Sequence, residues 1–242
     1  MRLWPALVAA LVVSGGCVSV PVTAERSEVI RRILPSTVQL RSEREGGGRR
    51  AASGVVLASD PDGRSWILTT RHFLEPATPQ RIYVRPPGRE GRIEARVVRL
   101  GDGIDLAVIV VDGIAFPPVT LKYSVQLGDE VWVVGFPWGR RVTVVSGVVS
   151  QVSSEGGEAP VEGPPRMVDA SVSYGGSGGG VFDASSGALI GIVEGYRTVR
   201  VTVQTSPERV VDVPVPGETT LVPAAAIRRF LADAGLETLI GK

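Results

Sequence analysis

Apolar residues in this chain fall in short runs divided by turn-forming residues, the pattern of many short strands. Ser53 to Leu57, Trp66 to Thr70, Ile82 to Val84, Ile93 to Leu100 and Leu106 to Val111 follow at hairpin spacing, with a turn at Asp60-Pro61-Asp62-Gly63. With Thr37 to Leu40 they make about six strands before Pro117-Pro118. The pattern restarts after a turn at Leu127-Gly128-Asp129. Glu130 to Val134, Val142 to Val152, Met167 to Val172, Gly179 to Phe182 and Leu189 to Val193 read as strands. Tyr196 to Val203 and Val210 to Val215 read as a long hairpin, and Thr220 to Val222 completes a second set of about six. Ser153 to Pro165, rich in glycine, proline and acid, reads as a mobile surface loop. Helical spacing occurs in two places. Val29, Ile30, Ile33 and Leu34 recur within 25–35, before Pro35. Pro223 opens a second segment in which Ile227, Phe230, Leu231 and Leu236 share a face, with Arg228 and Arg229 opposite and Gly235 near the cap. The expectation is an all-β chain of two halves, 25–120 and 121–242, with a short N-terminal helix before them and a C-terminal helix behind.

Composition narrows the function classes. The 242 residues hold 30 glycines and 18 prolines, and 26 Lys and Arg against 25 Asp and Glu. No basic stripe with interleaved aromatics is present, so no nucleic-acid partner is expected. One cysteine, Cys17, and one histidine, His72, exclude an intrachain disulfide and the usual zinc or multi-histidine clusters. No metal and no cofactor are therefore expected. Residues 1–24 read as a targeting segment. Arg2 precedes a short apolar run, Ala6 to Val13, and then Ser14-Gly15-Gly16-Cys17. Small residues before a lone cysteine resemble a bacterial lipoprotein signal, with lipidation at Cys17. Ordinary cleavage after Val22-Thr23-Ala24, or an uncleaved anchor, are the alternatives. All three predict export across the inner membrane, to the periplasm or cell envelope, and the first adds a lipid anchor to the membrane.

The candidate chemistry centres on Tyr174-Gly175-Gly176-Ser177-Gly178-Gly179-Gly180, a serine among five glycines directly before an apolar strand. A serine hydroxyl needs a base to remove its proton and donors to stabilise the resulting oxyanion. Flanking glycines let consecutive N–H groups converge and leave room for substrate. The sole imidazole, His72, lies at the end of the apolar run Trp66 to Thr70. Asp105 heads the apolar run Leu106 to Val111 and so is partly desolvated and in need of a partner. Asp102, between two glycines, fits a turn role better. The order His72, Asp105, Ser177 is one of the known chain orders of a Ser-His-Asp triad.

On these residues the chain resembles the chymotrypsin-fold serine proteases, most closely the HtrA/DegP-like bacterial branch. Thr69-Thr70-Arg71-His72, Asp105-Leu106-Ala107-Val108 and Gly175-Gly176-Ser177-Gly178-Gly179 are similar to that family's three catalytic motifs. Ser53-Gly54-Val55-Val56, Val134 to Gly139, Val145 to Ser150, Val168-Asp169-Ala170, Leu189 to Ile192 and Leu221-Val222-Pro223 resemble its supporting segments. The resemblance implies two six-stranded antiparallel β-barrels and hydrolysis of peptide bonds in proteins through an acyl-enzyme. Ser177 would be the nucleophile, His72 the base and then acid, and Asp105 the orienting carboxylate. The N–H groups of Gly175 and Ser177 would form the oxyanion hole. Ser171 and Val172 before the serine loop, and Val193, Glu194, Gly195 and Tyr196 after it, fall where the family lines its primary substrate pocket, implying a medium apolar preference. A homo-trimer is compatible with the resemblance, and no PDZ-like segment is read behind the C-terminal helix. Gly176, Gly180 and Arg71 depart from the family's usual residues, and the two glycines imply a softer serine loop. The competing expectation is a protease-fold lipoprotein with weak or no turnover, acting as a binding or chaperone-like module.

Overall fold

The structure, a computed structural model, describes residues 22–44, 46–75, 80–88, 90–153, 160–204 and 209–240. Cys17 and the apolar run before it lie outside the described residues. Six strands come first: β1 (Thr37–Arg44), β2 (Arg49–Ser59), β3 (Ser65–Thr69), β4 (Gln80–Arg85), β5 (Ile93–Leu100) and β6 (Ala107–Val111). They close into an antiparallel barrel in the order β1-β2-β3-β6-β5-β4. Eight more follow: β7 (Val125–Gln126), β8 (Glu130–Gly135), β9 (Thr143–Val152), β10 (Glu162–Gly163), β11 (Pro165–Asp169), β12 (Gly180–Asp183), β13 (Leu189–Val203) and β14 (Arg209–Pro223). Six of these close a second barrel, β11-β14-β13-β12-β8-β9, while β7 and β10 pair separately. Helix α1 (Val22–Ile33) precedes the barrels and α2 (Ala224–Asp233) follows them. No helix among the described residues is long and apolar enough to cross a membrane.

The continuous apolar runs have a physical reason. Successive strand residues point to opposite faces, so a strand buried on both faces needs no polar alternation. In β2 and β3, Val56 and Ile67 fill the first barrel, while Val55, Leu57 and Leu68 face out of it. In β8 and β12, Val131, Val133 and Val181 fill the second barrel, while Trp132, Val134 and Phe182 face the first. These outward residues meet in one core between the barrels. It is sealed by Val29 and Ile33 of α1 and by Ile227, Phe230 and Leu231 of α2. Although α1 precedes the first barrel in sequence, its Arg26 and Arg32 reach the second. Arg26 grips the Glu130 carboxylate at 2.7 and 3.0 Å, and Arg32 donates to the Ser186 carbonyl at 2.6 Å.

Two expectations change. The four runs expected after Leu189 are two long strands. β13 and β14 pair from Gly191↔Pro223 out to Val203↔Arg209, with register shifts between Val193 and Gly195 and between Tyr196 and Thr198. Those irregularities, with Pro214 and Pro216 inside β14, make each strand look like two short ones in sequence. The acidic loop holds the short β10 at its end, and its residues 154–159 lie outside the described residues.

Candidate active site

Each side chain of interest is delivered by the end of a strand. β3 runs into a single 3-10 turn, Arg71–Leu74, that carries His72. Asp105 stands two residues before β6, and β3 and β6 are hydrogen-bonded neighbours. The pairing brings the two residues together. The His72 main-chain N–H donates to Asp105 Oδ1 at 2.8 Å, and His72 Nδ1 lies 2.6 Å from Oδ2. One carboxylate thus holds both the backbone and the ring of the only histidine. Burial pushes the Asp105 carboxyl up, but hydrogen bonds from the His72 ring and main chain, the His72 charge and the Arg71 main chain outweigh it. The group lies below the usual carboxylate range. The His72 side chain is 48% exposed, open to a substrate, while Asp105 is 23% exposed.

Arg71 departs from a small residue for a visible reason. Its guanidinium donates to Glu75 at 2.6 Å and to the Gly101 carbonyl at 2.6 Å. It ties the histidine turn to the loop that leads to Asp105.

Ser177 comes from the second barrel, in the loop before β12, yet the loop is anchored to the first. Its carbonyl accepts the Ser53 N–H at 2.9 Å. The Ser53 hydroxyl donates to the Gly175 carbonyl at 2.8 Å and accepts the Phe136 N–H at 2.8 Å. Thr69, at the end of the histidine strand, donates its hydroxyl to the Ser53 carbonyl at 2.8 Å. Ser53, fully buried in β2, is therefore the junction of the two barrels at the site. Its Ser-Gly-Val context gives no sequence sign of this, because the contact joins residues 53 and 175.

The loop's turns require glycine at two points. Gly175 has φ +88°, and a Cβ there would come within 2.8 Å of both the Phe136 carbonyl and the Trp138 N–H nitrogen. Gly178 has φ +79°, and a Cβ there would meet the Ser53 carbonyl and Thr69. The loop bonds itself through Gly176 N–H to Ser173 and Gly179 N–H to Gly176, both at 2.9 Å. Among the described residues, no acceptor takes the N–H of Gly175 or of Ser177, and the Ser177 hydroxyl has no hydrogen-bond partner. Gly180 is no source of softness: it opens β12, and the Phe182 ring occupies the space a Cβ would need.

A small, mostly apolar cavity of about 180 Å³ lies beside this loop, lined by Ala170, Ser171, Val172, Tyr196 and the Pro214–Gly217 stretch. Of the expected pocket residues, Ser171, Val172 and Tyr196 line it. Val193 is buried in the second barrel's core instead, and Glu194 and Gly195 are not among the lining residues. Among the described residues, no three His, Cys, Asp or Glu side chains are grouped as metal ligands.

The model of the trypsin-like peptidase domain matches residues 52–192, a span that contains His72, Asp105 and Ser177. The chain belongs to the trypsin-like peptidase family. It is 30% identical over 169 residues to a DegP-like periplasmic serine endoprotease of Pseudomonas fluorescens, covering 68% of this chain and 33% of that protein. It is 31% identical over 147 residues to the serine endoprotease DegS of Salmonella typhimurium, covering 60% of this chain and 39% of that one. The chain thus spans between a third and two fifths of these relatives. Among solved structures, a serine endoprotease from Yersinia pestis superposes with TM-score 0.64 at 25% identity, over 89% of this chain and 66% of that one. The Rv3671c protease of M. tuberculosis, in its active form, shares the fold with TM-score 0.65 at 22% identity, over 88% and 86%.

Proposed function

We propose that this trypsin-like peptidase hydrolyses peptide bonds in protein substrates, with Ser177 as nucleophile, His72 as general base and then acid, and Asp105 as the orienting carboxylate. The observation that carries this reading is the double grip of Asp105 on the only histidine. A carboxylate on Nδ1 fixes the tautomer that leaves Nε2 able to take the serine proton, and it stabilises the imidazolium that follows. Ser177 Oγ attacks the scissile carbonyl, and the N–H groups of Gly175 and Ser177, free of internal acceptors, receive the oxyanion. His72 then returns the proton to the leaving amine. The acyl-enzyme is hydrolysed by water through the same cycle. Ser53 supports the reading by pinning the Gly175 carbonyl, which lies between the two oxyanion donors in the chain. The small apolar cavity suits a short or medium apolar side chain on the acyl side of the bond.

The DegP-like name of one relative supports a place outside the cytoplasm, reached through residues 1–24 as a secretory or lipoprotein segment. Cys17→Ser should release the protein from the membrane fraction; an unchanged distribution speaks for cleavage at Ala24. A second reading, a protease fold with little turnover, is favoured by the unpartnered Ser177 hydroxyl, although catalytic hydrogen bonds in unliganded enzymes often tighten only with substrate. A fluorophosphonate probe separates the two: wild type should be labelled covalently and Ser177→Ala should not. His72→Ala should lower peptide hydrolysis about a thousandfold or more. Equal labelling of wild type and Ser177→Ala would remove the nucleophile assignment.

A further inference from the structure

A second and larger cavity, about 470 Å³, reaches the serine loop at Tyr174. Its floor is one face of β1, β2 and β4. Residues directly opposite in neighbouring strands share a face, and the register puts Gln39 beside Ser53 and Arg85, Arg41 beside Ala51 and Tyr83, and Glu43 beside Arg49. One end of this face is Ser53, whose N–H holds the Ser177 carbonyl. Trp138 and Tyr174 wall the same end, their rings 5.4 Å apart, with Tyr174 three residues before Ser177. The face then runs outward to Arg49, four residues from Ser53 along β2, or about 13 Å at strand spacing.

The charge of this cavity is one-sided. Among the described residues, Arg41, Arg49, Arg50, Arg85 and Arg92 line it, against a single acid, Glu43. Glu43 is already shared between Arg92 at 3.2 Å and Arg49 at 3.8 Å. Arg50 is bound inward, donating to the carbonyls of His72 at 2.8 Å and Glu75 at 2.6 Å. Arg92 also lies 4.1 Å over the Tyr83 ring, which steadies its guanidinium. The chain's net charge is only +1, so this is a local concentration of positive charge.

Which side of the scissile bond the cavity serves follows from the chemistry proposed above, on which this inference rests. The acyl side of the substrate belongs to the loop of Ser177 and the small cavity of the second barrel. The leaving amine takes its proton from His72, which the first barrel supplies. The arginine-lined cavity is built by first-barrel strands and shares Arg50 with the histidine turn. We propose that it binds the leaving-group side of the substrate and selects acidic side chains there, in roughly the second to fourth residues after the cleaved bond at strand spacing. Guanidinium forks pair with carboxylates bidentately, and several together outweigh the one shared acid.

The test uses internally quenched peptides alike on the acyl side and differing only in those three positions: acidic, neutral or basic. The acidic peptide should be cleaved with kcat/KM about tenfold above the neutral one at low salt, and the basic one more slowly than either. The advantage should shrink toward molar salt. In Arg49→Glu and in Arg92→Gln the acidic-to-neutral ratio should fall toward one. Equal rates for the three peptides, or an acidic advantage unchanged in both variants, overturns the inference while leaving a working peptidase. If no peptide is cleaved and wild type resists the fluorophosphonate probe, the proposed function itself fails.

Discussion

Replacing Ser53 by alanine should damage stability and turnover together. The hydroxyl makes two hydrogen bonds of 2.8 Å, to the Gly175 carbonyl and from the Phe136 N–H. A typical buried hydrogen bond contributes about 1 kcal/mol net, but a buried group left without its partner costs about 1–3 kcal/mol. Gly175 is buried and Phe136 is 4% exposed, so neither stranded group can turn to bulk water. Two such groups give a loss of about 2–6 kcal/mol. Urea unfolding should show a lower midpoint at unchanged slope, because the surface exposed on unfolding is the same. The freed Gly175 carbonyl lets the loop's central peptides rotate, so the oxyanion donors lose their fixed aim. Such donors act mainly on the transition state, so kcat should fall about tenfold or more with little change in KM. A stability loss under about 0.5 kcal/mol with normal kcat would mean that the hydroxyl does not join the barrels as described.

Other expectations follow from single contacts. Arg71→Ala removes the tie between the histidine turn and Gly101; kcat should drop by about threefold to tenfold, with Arg71→Lys restoring part of it, on the scale of small misplacements of a catalytic group. Asp183 is 5% exposed and receives Lys122 at 2.6 Å and three bonds at 2.7 Å from Ser185 and Ser186. Burial pushes its carboxyl up, but those donors outweigh it and hold it well below the usual carboxylate range. Its stabilising effect is therefore full above the unfolded value near 4 and is lost as pH falls below it. Asp183→Asn should cost about 2–4 kcal/mol at pH 7, and denaturation curves of wild type and variant should converge toward pH 2. Gly180→Ala should destabilise by about 1–3 kcal/mol, because its methyl meets the Phe182 ring; a neutral result in thermal melts would show that the ring moves aside at no cost.

What could be read from sequence was what is local or repeated. The two barrels are legible because β2, β3, β6, β8 and β12 are apolar on both faces, and both helices because their buried stripes recur at helical spacing. The glycine loop was visible as well, since Gly175 and Gly178 need backbone that other residues resist. The pairing of His72 with Asp105 could be suspected from strand ends that turn out to be neighbours. Contacts across the chain left no such mark. Ser53 looks like any small strand residue until β2 is set against the serine loop. The arginine cavity needs the register of three strands, because Arg41, Arg49 and Arg85 lie in separate segments with no shared pattern.

One histidine in 242 residues also makes the site its own reporter. A magnetic resonance spectrum of the imidazole nitrogens carries a single set of signals, already assigned without any mutant. Its Nδ1 signal comes from the atom held by Asp105 at 2.6 Å, and its Nε2 signal from the atom that would face the substrate. A pH titration of the nitrogen-15-enriched but otherwise unmodified protein therefore follows the proton at the centre of the reaction directly, and the same two signals would register the filling of either cavity by a peptide.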